Sequence, residues 1–134
     1  MTVPKQYATD MRALAQRFFD AVGAGDMDAV AACYDDDVVI WHNFDNREKT
    51  KADNLATLAA MPGRLDERVY ADRRIEIFNG GFVHQHVLTA KRKLDGVSLR
   101  MPAIVICRVR DGKIVRLDEY LDSAHVAEFR KGAA

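Results

Sequence analysis

Val38-Val39-Ile40-Trp41-His42-Asn43-Phe44-Asp45 is an apolar run that ends in an indole, an imidazole and an amide. Its β-branched residues predict a strand, and successive side chains of a strand point to opposite faces. Val38, Ile40 and His42 therefore share one face. Trp41 lies on the other face, where it would pack on an outer sheet surface or at a dimer contact. With the first face inward, His42 places a proton-transfer group on the wall of an apolar interior.

The length and composition are those of an ordinary globular chain. A length of 134 residues predicts a single domain over residues 1–134. Hydrophobic residues make up 49% of the chain and charged residues 30%. Lys and Arg total 20 and Asp and Glu total 20, so the formal net charge is zero. This balance argues against a nucleic-acid partner, which would require a basic surface.

The cysteines and the apolar runs indicate a compartment. Cys33 and Cys107 lie far apart and lack the spacing of metal ligands, which suits a reducing cytoplasm. The first residues lack the apolar core of a signal peptide. No apolar run approaches the roughly 20 residues that span a membrane. We therefore expect a cytoplasmic protein without a membrane partner.

Helical periodicity dominates the first part of the chain. Thr9 is the predicted N-cap of a first helix that ends at Gly23 and Gly25, and Asp26 caps a short second helix. A polar loop is predicted over residues 44–49. Thr50-Lys51-Ala52-Asp53 then resembles a capping box that begins a third helix, which ends at Pro62-Gly63.

The rest of the chain is rich in strands joined by tight turns. Strands are predicted over residues 69–78, 82–94, 97–109 and 114–121, with turn signals at Asn79-Gly80-Gly81 and at two Asp-Gly pairs. Asp122 is a predicted cap for a short last helix. Segregation of helices from strands predicts an α+β fold: a curled, mostly antiparallel sheet with three N-terminal helices packed on its concave face.

Alternation along the last two strands identifies an inner face. One side of the strand at 97–109 is wholly apolar, while Arg100, Arg108 and Arg110 lie on the other. On the strand at 114–121, the inward set is then Val115, Leu117, Glu119 and Leu121. A glutamate on an apolar face requires a partner, because Glu is rarely buried unpaired. His42 and His86 are the candidate partners.

These placements predict one cavity with a histidine and a carboxylate in its wall. A histidine that donates to a carboxylate is oriented and made more basic, as general-base catalysis requires. We assign His42 and Glu119 as catalytic residues. The predicted substrate-binding residues are His86, Tyr34, Phe18, Met101, Val105 and Leu121. The alternative is structural: His42 is a hydrogen-bonded core residue, and Glu119 anchors a terminal loop or the first helix through an arginine.

No metal or cofactor is expected. His84 and His86 stand two residues apart on a strand whose two faces are both mixed, but a zinc site requires a third protein ligand. No compact cluster of ligating residues supplies it. The sequence also lacks a Gly-rich phosphate loop and a nucleophile elbow.

Three motifs carry a resemblance to a known superfamily. They are Ala32-Cys33-Tyr34-Asp35-Asp36-Asp37-Val38, Asp111-Gly112-Lys113-Ile114-Val115 and Asp118-Glu119-Tyr120-Leu121-Asp122. With the element order from about Thr9 to Phe129, they resemble the nuclear transport factor 2-like superfamily, which includes ketosteroid isomerase, limonene epoxide hydrolase and the SnoaL-like polyketide cyclases. The resemblance implies a cone-like sheet, an apolar pocket for a small molecule, and a homodimer formed through the outer sheet faces.

Compared with two enzymes of this superfamily, the chain lacks most of the residues that carry out their reactions. The general-base Asp of ketosteroid isomerase falls at His42, its oxyanion Tyr at Phe18 or Phe19, and its protonated Asp at Val105. Steroid isomerisation by those donors is therefore not implied. The acid on the last strand of limonene epoxide hydrolase falls at Glu119, but its Arg and second Asp fall within residues 83–87, which contain neither.

The sequence thus favours a cofactor-independent enzyme that performs acid–base chemistry, such as isomerisation, cyclisation or hydration, on a small apolar oxygenated substrate. The alternative is a ligand-binding or accessory domain without turnover, which the missing oxyanion donors favour. A protein-interaction module like nuclear transport factor 2 is a third possibility. It gives no role to inward polar residues.

Overall fold

The chain forms four α-helices and six β-strands within residues 2–132, the part that this computed structural model describes. In chain order they are α1 (Lys5–Ala24), α2 (Met27–Cys33), β1 (Tyr34–His42), β2 (Arg47–Lys49), α3 (Lys51–Ala60), β3 (Leu65–Phe78), β4 (Gly81–Arg92), β5 (Ser98–Arg110), β6 (Lys113–Leu121) and α4 (Ser123–Arg130). A single 3₁₀ turn, Met61–Gly63, follows α3. The predicted α+β class is confirmed.

The strands form one curved, open sheet in the order β2-β1-β6-β5-β4-β3. Every neighbouring pair is antiparallel except β1 and β6, which run parallel. The parallel pair joins the first strand of the chain to the last one. It thereby brings the end of β1, at His42, beside Glu119 of β6.

The N-terminal helices cover the concave face of this sheet, as predicted. The apolar stripe of α1 follows the 3/4 spacing of an amphipathic helix and packs against β3 and β4. Together with α2 it forms a core with the inner faces of β1, β4, β5 and β6. The helical members of this core are Met11, Leu14, Ala15, Phe18, Phe19, Ala21, Val22, Val30 and Cys33. A smaller cluster lies under α4, where Phe129 packs with Leu65, Leu88, Ala90 and Leu99.

The local signals that begin and end the helices agree with the sequence in part. The capping box at Thr50 is confirmed: its hydroxyl accepts from the Asp53 N–H at 3.2 Å, and the Asp53 carboxylate accepts from the Thr50 N–H at 3.2 Å. The predicted start of α1 at Thr9 is wrong. Pro4 precedes the first helical residue, and the Thr9 hydroxyl instead donates to the Lys5 carbonyl one turn earlier.

Two features of the sheet differ from the prediction. Within the polar loop predicted over residues 44–49, residues 47–49 form β2 because their backbone pairs with residues 40–42 of β1. On β6, Ile114 rather than Val115 is fully buried, since the register with β5 shifts between Arg108 and Val109. A bulge of this kind reverses the facing of residues beyond it, while Leu117 and Glu119 keep their predicted side.

The turns between the long strands use residues that tolerate a left-handed backbone. Asp111 and Gly112, with φ of 52° and 75°, connect β5 to β6, as a tight hairpin with two positive φ values requires. Among residues 2–132, none of the helices has the length and apolar character needed to cross a membrane.

Candidate functional site

One row of the sheet register carries the polar residues that the sequence singled out. His84 of β4 pairs with Val105 of β5, Val105 pairs with Glu119 of β6, and Glu119 pairs with His42 of β1. Paired residues of neighbouring strands lie on the same face of a sheet. This row therefore aligns two histidines and a carboxylate along the inner face.

His42 and Glu119 are in direct contact. The Nε2 atom of His42 lies 2.9 Å from Oε1 of Glu119, and their side chains are only 15% and 19% exposed. The Nδ1 atom of His42 is buried and has no hydrogen-bond partner. No arginine among residues 2–132 is bonded to Glu119, so the arginine anchor considered from the sequence is not present in this part of the chain. Glu119 is instead held by an imidazole.

The second carboxylate oxygen of Glu119 remains open. Within residues 2–132 no group bonds to Oε2, and this atom is not one of the buried side-chain atoms that lack a hydrogen-bond partner. One oxygen of Glu119 is thus fixed by His42 while the other is available to a ligand. A carboxylate in this state can accept a proton from a molecule in front of it.

The space in front of this pair is a cavity of about 150 Å³. It lies between the inner face of the sheet, α1, α3 and α4, and most of its lining is apolar. The structure places all eight residues of the predicted site on its walls: His42, Glu119, His86, Tyr34, Phe18, Met101, Val105 and Leu121. Alternation along β1, β5 and β6 predicts the inward facing of five of them, His42, Met101, Val105, Glu119 and Leu121.

Tyr34 contributes a neutral hydroxyl that is already engaged. It donates to the Oδ1 atom of Asn54 at 2.7 Å, and the Phe18 ring packs against it at 5.3 Å between centroids. Burial raises the pKa of Tyr34 well above its usual value. Tyr34 therefore stays protonated and positions Asn54, whose amide nitrogen remains as a donor on the cavity wall.

Asn54 lines the cavity and is not among the predicted site residues. It is buried on α3 and lines the cavity with Leu58, four residues later. Residues at i and i+4 share one face of a helix. A polar residue on the apolar face of a helix was thus a signal present in the sequence.

Cations at the rim of the cavity were also missed. Lys49 forms an ion pair with Asp45 at 2.6 Å, and Lys49 and Arg130 both lie over the Phe44 ring, at 5.5 and 5.0 Å from its centroid. Arg64 donates to the Phe129 carbonyl at 3.0 Å. The three cations come from three separate segments of the chain, and no local pattern in the sequence joins them.

The two histidines of β4 both face inward, although only His86 was assigned to the cavity. Their Nδ1 atoms lie 3.1 Å apart. His86 lines the cavity, while His84 is fully buried and stacks on Phe19 with 3.6 Å between ring centroids. Burial lowers the pKa of His84 to about 3 and also lowers that of His86, so both imidazoles are neutral near pH 7.

The described residues offer no evident metal centre. Within residues 2–132, no group of three His, Cys, Asp or Glu side chains comes together in an arrangement that could hold a metal ion. The polar groups that line the cavity are the Glu119 carboxylate, the His42 and His86 imidazoles, the Asn54 amide, the Tyr34 and Tyr70 hydroxyls and the cations at the rim.

Comparison with known proteins identifies the family and the fold. A family model described as "SnoaL-like domain" matches residues 15–117, which is most of the chain. No curated protein matches the sequence.

Solved structures resemble the chain over nearly its whole length. A "putative polyketide cyclase" from Xanthomonas campestris is 20% identical, with 88% of this chain and 94% of that one covered at a TM-score of 0.79. A "putative isomerase" from Bacillus subtilis is 16% identical, with 93% and 95% covered at 0.78. A "putative hydroxylase" from Streptomyces galilaeus is 14% identical, with 94% and 84% covered at 0.79. At sequence identities of 14–20%, these similarities show a shared fold and no more.

Proposed function

Because the chain belongs to the SnoaL-like domain family, we propose that it is an enzyme that performs cofactor-independent acid–base chemistry on a small, largely apolar, oxygenated molecule. The observation that carries the proposal is the His42–Glu119 pair, 2.9 Å apart on the wall of an apolar cavity. The names of its structural relatives, an isomerase and a polyketide cyclase among them, agree with chemistry on small organic molecules.

The roles follow from which atoms are open. Glu119 Oε2 accepts a proton from a carbon next to the substrate carbonyl, which leaves an enolate. The His42 ring, with Nε2 2.9 Å from Oε1, orients the carboxylate. The enolate oxygen is held by N–H donors, for which Asn54 and His86 are available. With a β,γ-unsaturated ketone, return of the same proton to the γ-carbon of the dienolate completes an isomerisation. Attack of the enolate carbon on a second carbonyl of the same molecule gives a cyclisation, in which the new alkoxide takes the proton from Glu119.

The size of the cavity limits the substrate. Sites for drug-sized ligands are roughly 300–1,000 Å³, whereas this cavity measures about 150 Å³. An apolar cavity of about this volume accommodates a molecule the size of benzene. We therefore propose a substrate of about one ring, with its oxygen directed toward the polar groups.

Exchange of protons for deuterium in cyclohexanone tests the proposal without knowledge of the natural substrate. In D₂O, the protein should accelerate loss of the α-proton NMR signal. Glu119→Gln keeps the shape of the side chain and removes its basicity, so exchange should fall by about 10²-fold or more. Asp118→Asn is the matched control, because Asp118 is the adjacent carboxylate on β6 and bonds to Arg116 instead.

The competing function is ligand binding without turnover. It is favoured by the engagement of the Tyr34 hydroxyl with Asn54, which removes one donor that an enolate could use. Stabilisation of the protein by cyclohexanone, with exchange no faster in the wild type than in Glu119→Gln, would support this alternative and exclude Glu119 as a base.

We also propose that the protein acts as a cytoplasmic homodimer and does not bind nucleic acid. The zero net charge and the two buried, free cysteines support this setting. The outer face of the sheet supports the dimer, since Tyr120 is 43% exposed there beside Trp41.

A further inference from the structure

We propose that His84 is a positioning residue that fixes the tautomer of His86, so that His86 directs its Nε2–H into the cavity as the donor for a substrate oxygen. The inference deepens the proposed function and rests on it for the role of that donor. His84 does not line the cavity itself. It would act entirely through its neighbour.

The contact between the two rings defines the problem. Two Nδ1 atoms 3.1 Å apart are within hydrogen-bond distance, but such a bond exists only if one nitrogen carries a proton and the other does not. The rings are held in this relation from both sides. His84 stacks on Phe19 at 3.6 Å with 12° between planes, and Tyr70 meets the His86 ring edge-on at 5.0 Å.

Neutrality of both rings leaves two arrangements. The low pKa of both histidines, caused first by burial, excludes an imidazolium near neutral pH. Either His84 carries its proton on Nδ1 and donates to His86, or His86 does so and donates to His84. Each choice fixes where the remaining proton of the pair resides, since a neutral imidazole has one N–H.

The far side of His84 distinguishes the two arrangements. Its Nε2 atom is sealed in the core and has no partner. If His84 were the acceptor, that atom would carry a buried N–H with no acceptor, which is unfavourable because the group has lost its hydrogen bonds to water. Orphaned buried N–H groups are rarer than unsatisfied acceptors. His84 is therefore the Nδ1–H donor, and His86 is the acceptor.

The proton of His86 must then lie on Nε2, at the opposite end of the ring from His84. The Nε2 atom of His86 is not one of the buried atoms that lack a partner, unlike the Nε2 atom of His84, and no group of residues 2–132 accepts a hydrogen bond from it. Since the ring lines the cavity, this N–H is available to a ligand. His86 presents a neutral donor from β4, while Glu119 presents a base from β6, two strands away.

This arrangement suits the proposed chemistry. A neutral imidazole N–H in a water-poor site stabilises negative charge on an enolate oxygen without transferring its own proton, and loss of one such donor typically costs about 10²–10³ in kcat. The opposite tautomer would present a lone pair to the same oxygen and repel it. The identity of residue 84 thus determines whether the cavity has this donor.

The tautomers can be read directly from ¹⁵N-histidine NMR at neutral pH. The wild type should show His86 protonated on Nε2 and His84 protonated on Nδ1. Replacement by His84→Phe keeps the stacked ring and removes the donor, so His86 should shift to a mixture of tautomers. In His84→Asn, the amide nitrogen can occupy the place of Nδ1, and the Nε2–H form should be restored. A wild-type spectrum with His86 protonated on Nδ1 would overturn the inference whether or not the variants fold.

Exchange kinetics test the role of His84 separately from the proposed function. With cyclohexanone exchange as the readout, His84→Phe should lower kcat by about tenfold with little change in KM, and His84→Asn should recover most of it. If His86 has the expected tautomer but the wild type exchanges nothing, the proposed function fails and the tautomer assignment stands. If exchange depends on Glu119 but kcat is the same in His84→Phe, the role of His84 fails alone.

Discussion

At the scale of single residues, the site depends on polar groups placed on an apolar wall. Period-2 alternation was sufficient to place His42 and Glu119 on the inner face, because both lie on regular stretches of strand. It could not place Asn54, which belongs to the opposite wall, or pair His84 with His86. The latter contact depends on rotamers that are set by packing against Phe19, and spacing alone does not contain that information.

The buried His84 should make the protein less stable in acid. The folded-state pKa of His84 is about 3, against 6.5 for the free side chain. Between pH 6.5 and pH 3, the His84 side chain therefore binds a proton in the unfolded chain but not in the folded one. The free energy of unfolding is therefore highest above pH 6.5 and falls as the pH approaches 3, by at most about 1.4 kcal/mol per pH unit from this group. Urea unfolding at several pH values measures the slope.

Two variants separate titration from packing in that experiment. His84→Phe and His84→Asn both remove the ionising group, but only the first retains a ring against Phe19. Both should therefore show a shallower decline between pH 6.5 and 4 than the wild type, whatever their stability at pH 7. An unchanged slope in both variants would show that His84 is already protonated in the folded protein.

At the scale of elements, the sequence predicted the existence of the helices and long strands better than their boundaries. The box at Thr50 begins α3 because both of its hydrogen bonds are local. By contrast, β2 forms because residues 47–49 meet the edge of β1, and the bulge before Val109 depends on pairing across two strands. Such non-local pairings have no signature within a short window of sequence.

The start of β4 provides a test of a close contact between strands. Gly81 was predicted as a turn residue, but its constraint is steric: a Cβ atom at this position would overlap the carbonyl oxygen of Cys107 on β5. Gly81→Ala should therefore force the strands apart and destabilise the fold by about 1–3 kcal/mol. Urea unfolding measures the loss.

Gly63→Ala is the matched control, because a Cβ atom there meets nothing within 4 Å. It should be neutral or slightly stabilising, by less than about 1 kcal/mol. Equal effects of the two substitutions would show that the destabilisation comes from the loss of glycine itself and not from the contact with Cys107.

At the scale of the whole molecule, the fold class was predictable and the cavity dimensions were not. The order of helices and strands, with the three motifs around Asp35, Asp111 and Asp118, was enough to expect a curled α+β sheet. The volume of the cavity depends on how far α1, α3 and α4 stand from that sheet. This separation is set by the packing of side chains from several elements, such as Phe18 of α1 and Phe129 of α4. The pattern of any one element does not determine it.

The outer face of the sheet should join two copies of the chain. Tyr120 lies on that face, in edge-to-face contact with Trp41 at 5.3 Å between centroids. Light scattering after gel filtration should give a dimer for the wild type and a monomer for Tyr120→Arg, since a buried unpaired charge opposes association. Val97→Arg is the matched control: Val97 is 42% exposed, against 43% for Tyr120, but lies before β5 and away from this face. A monomeric wild type would contradict the proposed dimer.

The cavity volume predicts which ligands stabilise the protein. Cyclohexanone and other single-ring ketones should raise Tm, because a ligand at ten times its Kd adds about 1.4 kcal/mol, or about 5 °C for a domain of this size. Four-ring steroid ketones should have no effect. Val105→Phe extends a fully buried side chain into the cavity and should abolish the rise, while Ile106→Phe, its neighbour on the outer face of β5, should preserve it. Equal stabilisation by one-ring and four-ring ketones would show that the helices move apart to enlarge the cavity. The substrate would then not be limited to about one ring.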